Sequence, residues 1–152
     1  MIVVVQRVAS ASVEVEGAVV GEIGPGLLAL CGLLTTDTDA DLAWAADKLV
    51  NLRIFEDDQG RMNRSALDLK GSFLLVPNFT LAGDARKGRR PSFDNAMRPE
   101  QAGPMFERFA GLVRSAAAGC HVATGVFRAH MRVTLLNDGP VTILVDSAGK
   151  PA

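Results

Sequence analysis

The chain has 152 residues, 48% of them apolar, with 16 basic and 17 acidic side chains and a net charge of −1. That length suffices for one domain with its own core and excludes dependence on disulfide staples, while the near-neutral balance excludes a global attraction to polyanions. The longest apolar run, residues 26–34, falls far short of a bilayer span, so no membrane association is expected.

Residues 1–8 and 12–17 are rich in β-branched side chains, with Val13 and Val15 alternating against Glu14 and Glu16. They predict strands, and Glu16-Gly17 predicts a tight turn into a further strand over 18–22. The N-terminal residues carry no basic leader, which sets a soluble, intracellular protein as the expectation. Gly24-Pro25-Gly26 breaks the chain before Leu27–Leu34, whose unrelieved apolar character predicts a strand buried on both faces. Thr38 and Asp41 then form a capping-box pattern, and Leu42, Ala45, Ala46, Leu49 and Val50 recur at helical spacing, with Trp44 at the edge of that face. Residues 51–55 read as extended and 56–60 as a polar turn.

Residues 71–76 form a second central-strand run, halted by Pro77, which has no N–H for a ladder. Asn78, Phe79 and Thr80 therefore sit where a strand stops, and backbone N–H groups beyond a strand end can face a ligand as an oxyanion hole does. The same residues also describe core followed by turn. Arg86, Lys87, Arg89 and Arg90 crowd into one short stretch, the chain's single local footprint for a polyanion, although a solvated loop has the same composition. Pro99-Glu100 opens a second helix with Phe106, Phe109 and Val113 on one face, and Pro104 either delays its start or kinks it. Strands are predicted over 121–127, 129–136 and 141–145, followed by a loose tail over 147–152.

Asn137-Asp138-Gly139-Pro140 lies between apolar runs and reads as a hairpin tip. Pro140 withholds an N–H, leaving a rigid tip rich in carbonyl acceptors suited to a ligand ammonium. An ordinary turn is equally written in these residues. Cys31 and Cys120 have no second cysteine nearby and read as small buried hydrophobes; His121 and His130 make no zinc-hydrolase spacing, so no metal and no cofactor is expected. Strands and helices in this order do not repeat as βαβ units. They predict a mixed α/β fold, its sheets forming a sandwich or partial barrel with two main helices on one side, in a single domain over 1–146.

Taken in order, six segments resemble the D-aminoacyl-tRNA deacylase family from end to end. They are Gln6-Arg7-Val8, residues 24–28, Arg53-Ile54-Phe55 through Met62-Asn63, Phe79-Thr80-Leu81, Lys87-Gly88 through Phe93, and Met131 through Asn137-Asp138-Gly139-Pro140-Val141-Thr142. The resemblance implies a cytoplasmic homodimer, active sites at the subunit interface, that hydrolyses the ester between a D-amino acid or glycine and the terminal adenosine of tRNA, in translation quality control. It implies a cis Gly139-Pro140 bond acting as a chiral gate that rejects L-amino acids. Arg7 would brace that gate, and Met131 and Asn137 would join it in binding substrate. Asn78, Phe79 and Thr80 would lie by the scissile carbonyl, and Arg86, Lys87, Arg89 and Arg90 would contact tRNA phosphates. Two positions depart from the family pattern: Pro77-Asn78 stands where Ser-Gln is usual, and Arg128 where glycine is common. Editing of L-alanyl-mischarged tRNA and a catalytically silent tRNA-binding module remain alternative readings.

Overall fold

Apolar side chains alternate along residues 2–15, and in the computed structural model, which describes residues 1–150, they form one long strand, β1 (Ile2–Val15). Glu16 and Gly17, both at positive φ, turn the chain into β2 (Ala18–Ile23), which pairs with the second half of β1. The first half pairs antiparallel with β3 (Gly26–Gly32), from Ile2 opposite Gly32 to Val8 opposite Gly26. Next to β3 lies β6 (Ser72–Pro77) in parallel, and next to β6 the short β7 (Val122–Thr124), also parallel. A small antiparallel pair, β4 (Phe55–Glu56) and β5 (Met62–Arg64), stands apart.

The last strand, β8 (Arg132–Asp146), corrects the hairpin reading of residues 137–140. It runs antiparallel along the full length of β1, from Glu14 opposite Arg132 to Ile2 opposite Asp146, without turning back. Local turn chemistry suggested a reversal, but the uninterrupted β1 offers partners on both sides of the Gly-Pro step. Residues 138–141 oppose Arg7 alone, so the segment leaves the ladder as a large bulge between Asn137–Val8 and Thr142–Gln6.

The helices, α1 (Asp39–Asn51) and α2 (Pro99–Ala116), cover one face of the sheet. Val3, Val5, Leu27 and Phe73 meet Leu42, Leu49, Phe106 and Phe109 there in a dry core. Trp44 packs against its edge under the Lys48 ammonium. Helix α2 begins at Pro99 and accommodates Pro104 in its interior, so Pro104 marks no boundary. On the opposite face Val13, Leu28, Leu74 and Val76 gather Met131, Val133 and Leu135, and β2 approaches β7 closely enough to leave a nearly closed barrel. The predicted mixed α/β fold with two helices on one side is the fold observed.

Other expectations shift at the edges. Residue 51 belongs to α1, and of the extended segment only Phe55 pairs, together with Glu56 from the expected turn. The strand expected over 121–127 keeps three residues, which pair with Phe73–Leu75 of β6, and the strand expected from 129 starts at Arg132. The tail expected from 147 is docked as far as 150. Ser147–Gly149 form a 3-10 turn, the buried Ser147 N–H donates to Met1 O, its hydroxyl accepts from the Met1 amine, and Lys150 Nζ donates to Asp41 at 2.6 Å. The remaining tail residues, 151–152, lie outside the described residues.

Asp41 is a buried carboxylate at the first turn of α1 that also accepts the Thr38 N–H at 2.8 Å and the Thr38 hydroxyl at 2.6 Å. The hydrogen bond from Lys150, then that from Thr38, holds its carboxyl well below the usual carboxylate range. A depressed folded-state value stabilises the fold above the unfolded carboxylate pKa and loses that contribution as pH falls. Asp41→Asn is therefore expected to lower stability by about 1 kcal/mol near neutrality. In urea unfolding the gap between variant and parent should close toward about pH 2; a gap independent of pH would show that the charge is not what matters.

Candidate active site

Pro77 ends β6 opposite Cys31, and the Asn78 N–H makes a last bond to Cys31 O at 2.7 Å before the chain leaves the sheet. It then forms a 3-10 turn over Phe79–Ala82, seated on the end of β3. Gly32 permits that seat, since a Cβ there would stand 2.8 Å from Leu81 Cβ. The turn overlooks a pocket of about 840 Å³, floored by Leu28, Val76 and Met131 from the barrel interior.

Asn78, Phe79, Thr80 and Met131, predicted from sequence as site residues, meet at this pocket. Asn78 Oδ1 caps the turn, accepting the Thr80 N–H at 3.2 Å and the Thr80 hydroxyl at 2.5 Å. The expectation of a free donor thus narrows to one group: the Thr80 N–H is taken, whereas the Phe79 N–H has no acceptor among the described residues. Phe79 is 60% exposed and meets Phe93 edge to face, centroids 5.1 Å apart. The basic loop holds Phe93 there, because Asp84 and Ser92 exchange backbone hydrogen bonds across its base.

Arg7, Asn137, Gly139 and Pro140 form a second group that does not line this pocket. The Arg7 guanidinium, 7% exposed, donates to Asp138 O at 2.9 Å and Ile54 O at 2.7 Å and lies over the Phe55 ring. The expected free tip is thus partly claimed, with the Asp138 carbonyl taken by Arg7. Asn137 closes the neck of the bulge: its Oδ1 accepts the Val141 N–H at 3.0 Å, and its Nδ2 donates to Val141 O at 3.3 Å. Gly139 has φ +143°, and a Cβ on it would meet Val141 N at 2.8 Å. The Gly139-Pro140 bond is cis. Gly139 and Pro140 are exposed and, unlike Phe79, do not line the pocket.

The basic loop is exposed, but Arg86 is not a free cation. Its side chain grips Asp84 at 2.9 and 2.6 Å and lines a separate cleft, and its hydrogen bonds hold the Asp84 carboxyl down at about 2. Lys87, Arg89 and Arg90 make no ion pair among the described residues.

Several pocket residues went unassigned from sequence, Gln6, Phe93, Arg98 and His130, while Arg128, expected from sequence at the pocket rim, does line it. Gln6 was within reach of strand alternation, because a neighbour of the inward Arg7 must face the other way. Cys31 borders the pocket, but burial pushes its thiol far above the usual range, which makes it inert as a nucleophile; Cys120 is half-buried. Among the described residues no group of histidines, cysteines and carboxylates could hold a metal, and no helix is long and apolar enough to cross a membrane.

A family model described as D-Tyr-tRNA(Tyr) deacylase matches residues 4–146. A D-aminoacyl-tRNA deacylase of Desulfitobacterium hafniense (strain Y51) is 57% identical over 144 residues, 95% of each chain. One from Myxococcus xanthus (strain DK1622) is 54% identical over 149 residues, 98% of this chain and 96% of its own. Among solved structures, the c-Myc DNA unwinding element binding protein superposes with a TM-score of 0.92 at 38% identity over all of both chains. A second, titled a probable eukaryotic D-amino acid tRNA deacylase, shares the fold with a TM-score of 0.81 at 20% identity, over 95% of this chain and 97% of that one. The match spans β1 with Arg7, the Phe79 turn and the Gly-Pro bulge alike, and the chain belongs to the D-Tyr-tRNA(Tyr) deacylase family.

Proposed function

We propose that the chain hydrolyses the ester joining a D-amino acid, or glycine, to the 3′-terminal adenosine of tRNA, acting in the cytoplasm as a homodimer. The observation that carries this is the unclaimed Phe79 N–H at the mouth of an apolar pocket, in a chain of this family. The ester carbonyl lies against that N–H, which stabilises the tetrahedral oxyanion; removal of such a donor typically costs on the order of 10²–10³ in rate. Asn78 supports the donor from one residue away by pinning the turn through Thr80.

The pocket offers no protein nucleophile. Cys31 is inert, and the Thr80 hydroxyl is already engaged as a donor to Asn78. Water is the nucleophile, oriented by the 2′-hydroxyl of the substrate's own terminal ribose. Selection of hand falls to the Gly-Pro step of the second copy, entering the pocket mouth with Arg7 bracing it from behind. Its carbonyl edge accepts the α-ammonium, and an L side chain would strike the ring or backbone while a D side chain points outward. Two features support insertion in trans: the step is exposed and away from its own pocket, and β8 presents Leu136 and Leu144 at 62% and 65% exposure, apolar surface that a second copy would cover. Lys87, Arg89 and Arg90 would meet acceptor-stem phosphates.

The pure protein should release D-Tyr from D-Tyr-tRNA and leave L-Tyr-tRNA intact; comparable release from both would reject the filter. Thr80→Ala removes a hydroxyl that acts only through Asn78, so the expected loss is about fivefold in rate. Complete loss with the fold intact would instead make that hydroxyl essential. Gly139→Ala would press a Cβ onto Val141 at a φ that L residues avoid. The measured ratio of D to L hydrolysis should fall; an unchanged ratio would remove Gly139 from the filter.

A further inference from the structure

Every charged side chain that lines the main pocket has one sign or can take it. Apart from the buried Cys31 thiol, the titratable lining among the described residues is Arg98, Arg128 and His130, with no aspartate or glutamate, in a chain whose acidic residues outnumber its basic ones 17 to 16. A cleft with apolar walls and charge of one sign focuses its field on a ligand of the other sign. Arg98 is the cap residue of α2. Arg128 lies between β7 and β8 at φ 64°, a region that glycine enters freely and arginine does not. Both arginines are exposed, and neither guanidinium has an ion pair among the described residues, so no such pairing explains an arginine at 128. Both line the same pocket, and the loop that carries Arg128 rests on the first turns of the helix that starts beside Arg98, where a Cβ on Gly103 would lie 3.3 Å from the Phe127 ring.

We propose that Arg98 and Arg128 clamp the phosphodiester that leads into the terminal nucleotide, and so fix which way round the aminoacyl end enters. The choice of this anion rests on the deacylase reading. An aminoacyl-adenosine carries no negative charge of its own, only the α-ammonium, and the nearest anion is the phosphate on its 5′ side. Cations at the rim attract that phosphate and repel the ammonium, which drives the ammonium toward the carbonyl acceptors of the Gly-Pro step. Charge thus orients the substrate before shape filters it.

The test is calorimetric titration of the whole protein with adenosine 5′-monophosphate and with adenosine. The phosphate should tighten binding by about tenfold or more at low salt, an advantage that shrinks as salt rises. In the double variant Arg98→Gln, Arg128→Gly the nucleotide should bind no better than the nucleoside, whose affinity stays unchanged; glycine suits the backbone at 128, and circular dichroism checks the fold. Arg114→Gln, a similarly unpaired arginine at the far end of α2, should keep the phosphate advantage. Equal binding of nucleotide and nucleoside by the parent protein, or an advantage that survives the double variant, overturns the clamp. Hydrolysis of D-Tyr-tRNA is followed in parallel. Normal hydrolysis without a phosphate advantage defeats the clamp alone, whereas a clamp that behaves as stated in a protein that never hydrolyses the ester defeats the deacylase reading alone.

Discussion

A guanidinium withdrawn from water needs an acceptor or a ring face for its N–H groups, and Arg7 finds them in two pieces of backbone that belong to neither neighbouring strand register. Ile54 O lies in the link between α1 and β4, and Asp138 O lies in the bulge of β8. One side chain on β1 thereby fastens both to the sheet. The bulge has no ladder of its own over residues 138–141, and what holds it is Arg7 together with the Asn137 side chain that closes its neck and Val141, buried in the main core. Replacing this group would leave an unpaired carbonyl and a loosened bulge together, because the same N–H groups serve both.

Strand alternation then separates two functions that the sequence places side by side. Gln6 faces the pocket and reaches Thr142 Oγ1 at 3.3 Å, whereas Arg7 faces the opposite way into the layer beneath Phe55. The Gly-Pro step that Arg7 supports is consequently turned from the pocket of its own chain. The proposed filter has its opening at the pocket and its obstacle outside the pocket lining, and the proposed homodimer would pair the obstacle of each copy with the opening of the other.

Much of this was readable in the residues. Positive-φ turn chemistry at Glu16-Gly17, the Thr38–Asp41 cap, the halt at Pro77 and the start of α2 at Pro99 are all decided within a few positions, and each appears where it was expected. The Gly-Pro segment was misread as a reversal because Asp-Gly and Gly-Pro write the same local signal in a hairpin and in a bulge. What decides between them is the partner strand, and only the length of β1 could have said that one continuous partner was needed. The site was legible to the level of its segment but not of its atoms. Which of two adjacent N–H groups stays free depends on where Asn78 Oδ1 points, and the placing of Arg98 and Arg128 on one pocket accompanies Phe127 resting against Gly103.

Asn78 stands at a departure from the expected family pattern, and its amide is used within the chain. With Pro77 before it, the position has lost one backbone donor, and the shorter amide cannot reach as far as a glutamine into the pocket. It turns instead onto its own chain, taking the N–H and hydroxyl of Thr80. That closure spends the Thr80 donor, yet it also fixes the 3-10 turn that presents the neighbouring Phe79 N–H. A donor held by the backbone on either side reorganises little as charge develops on a bound oxygen. For the proposed reaction, in a pocket with no carboxylate among its described residues and with its thiol inert, rigidity of that single amide would matter more than the number of donors, and the proposed clamp would serve the same end by keeping the ester carbonyl in register with it.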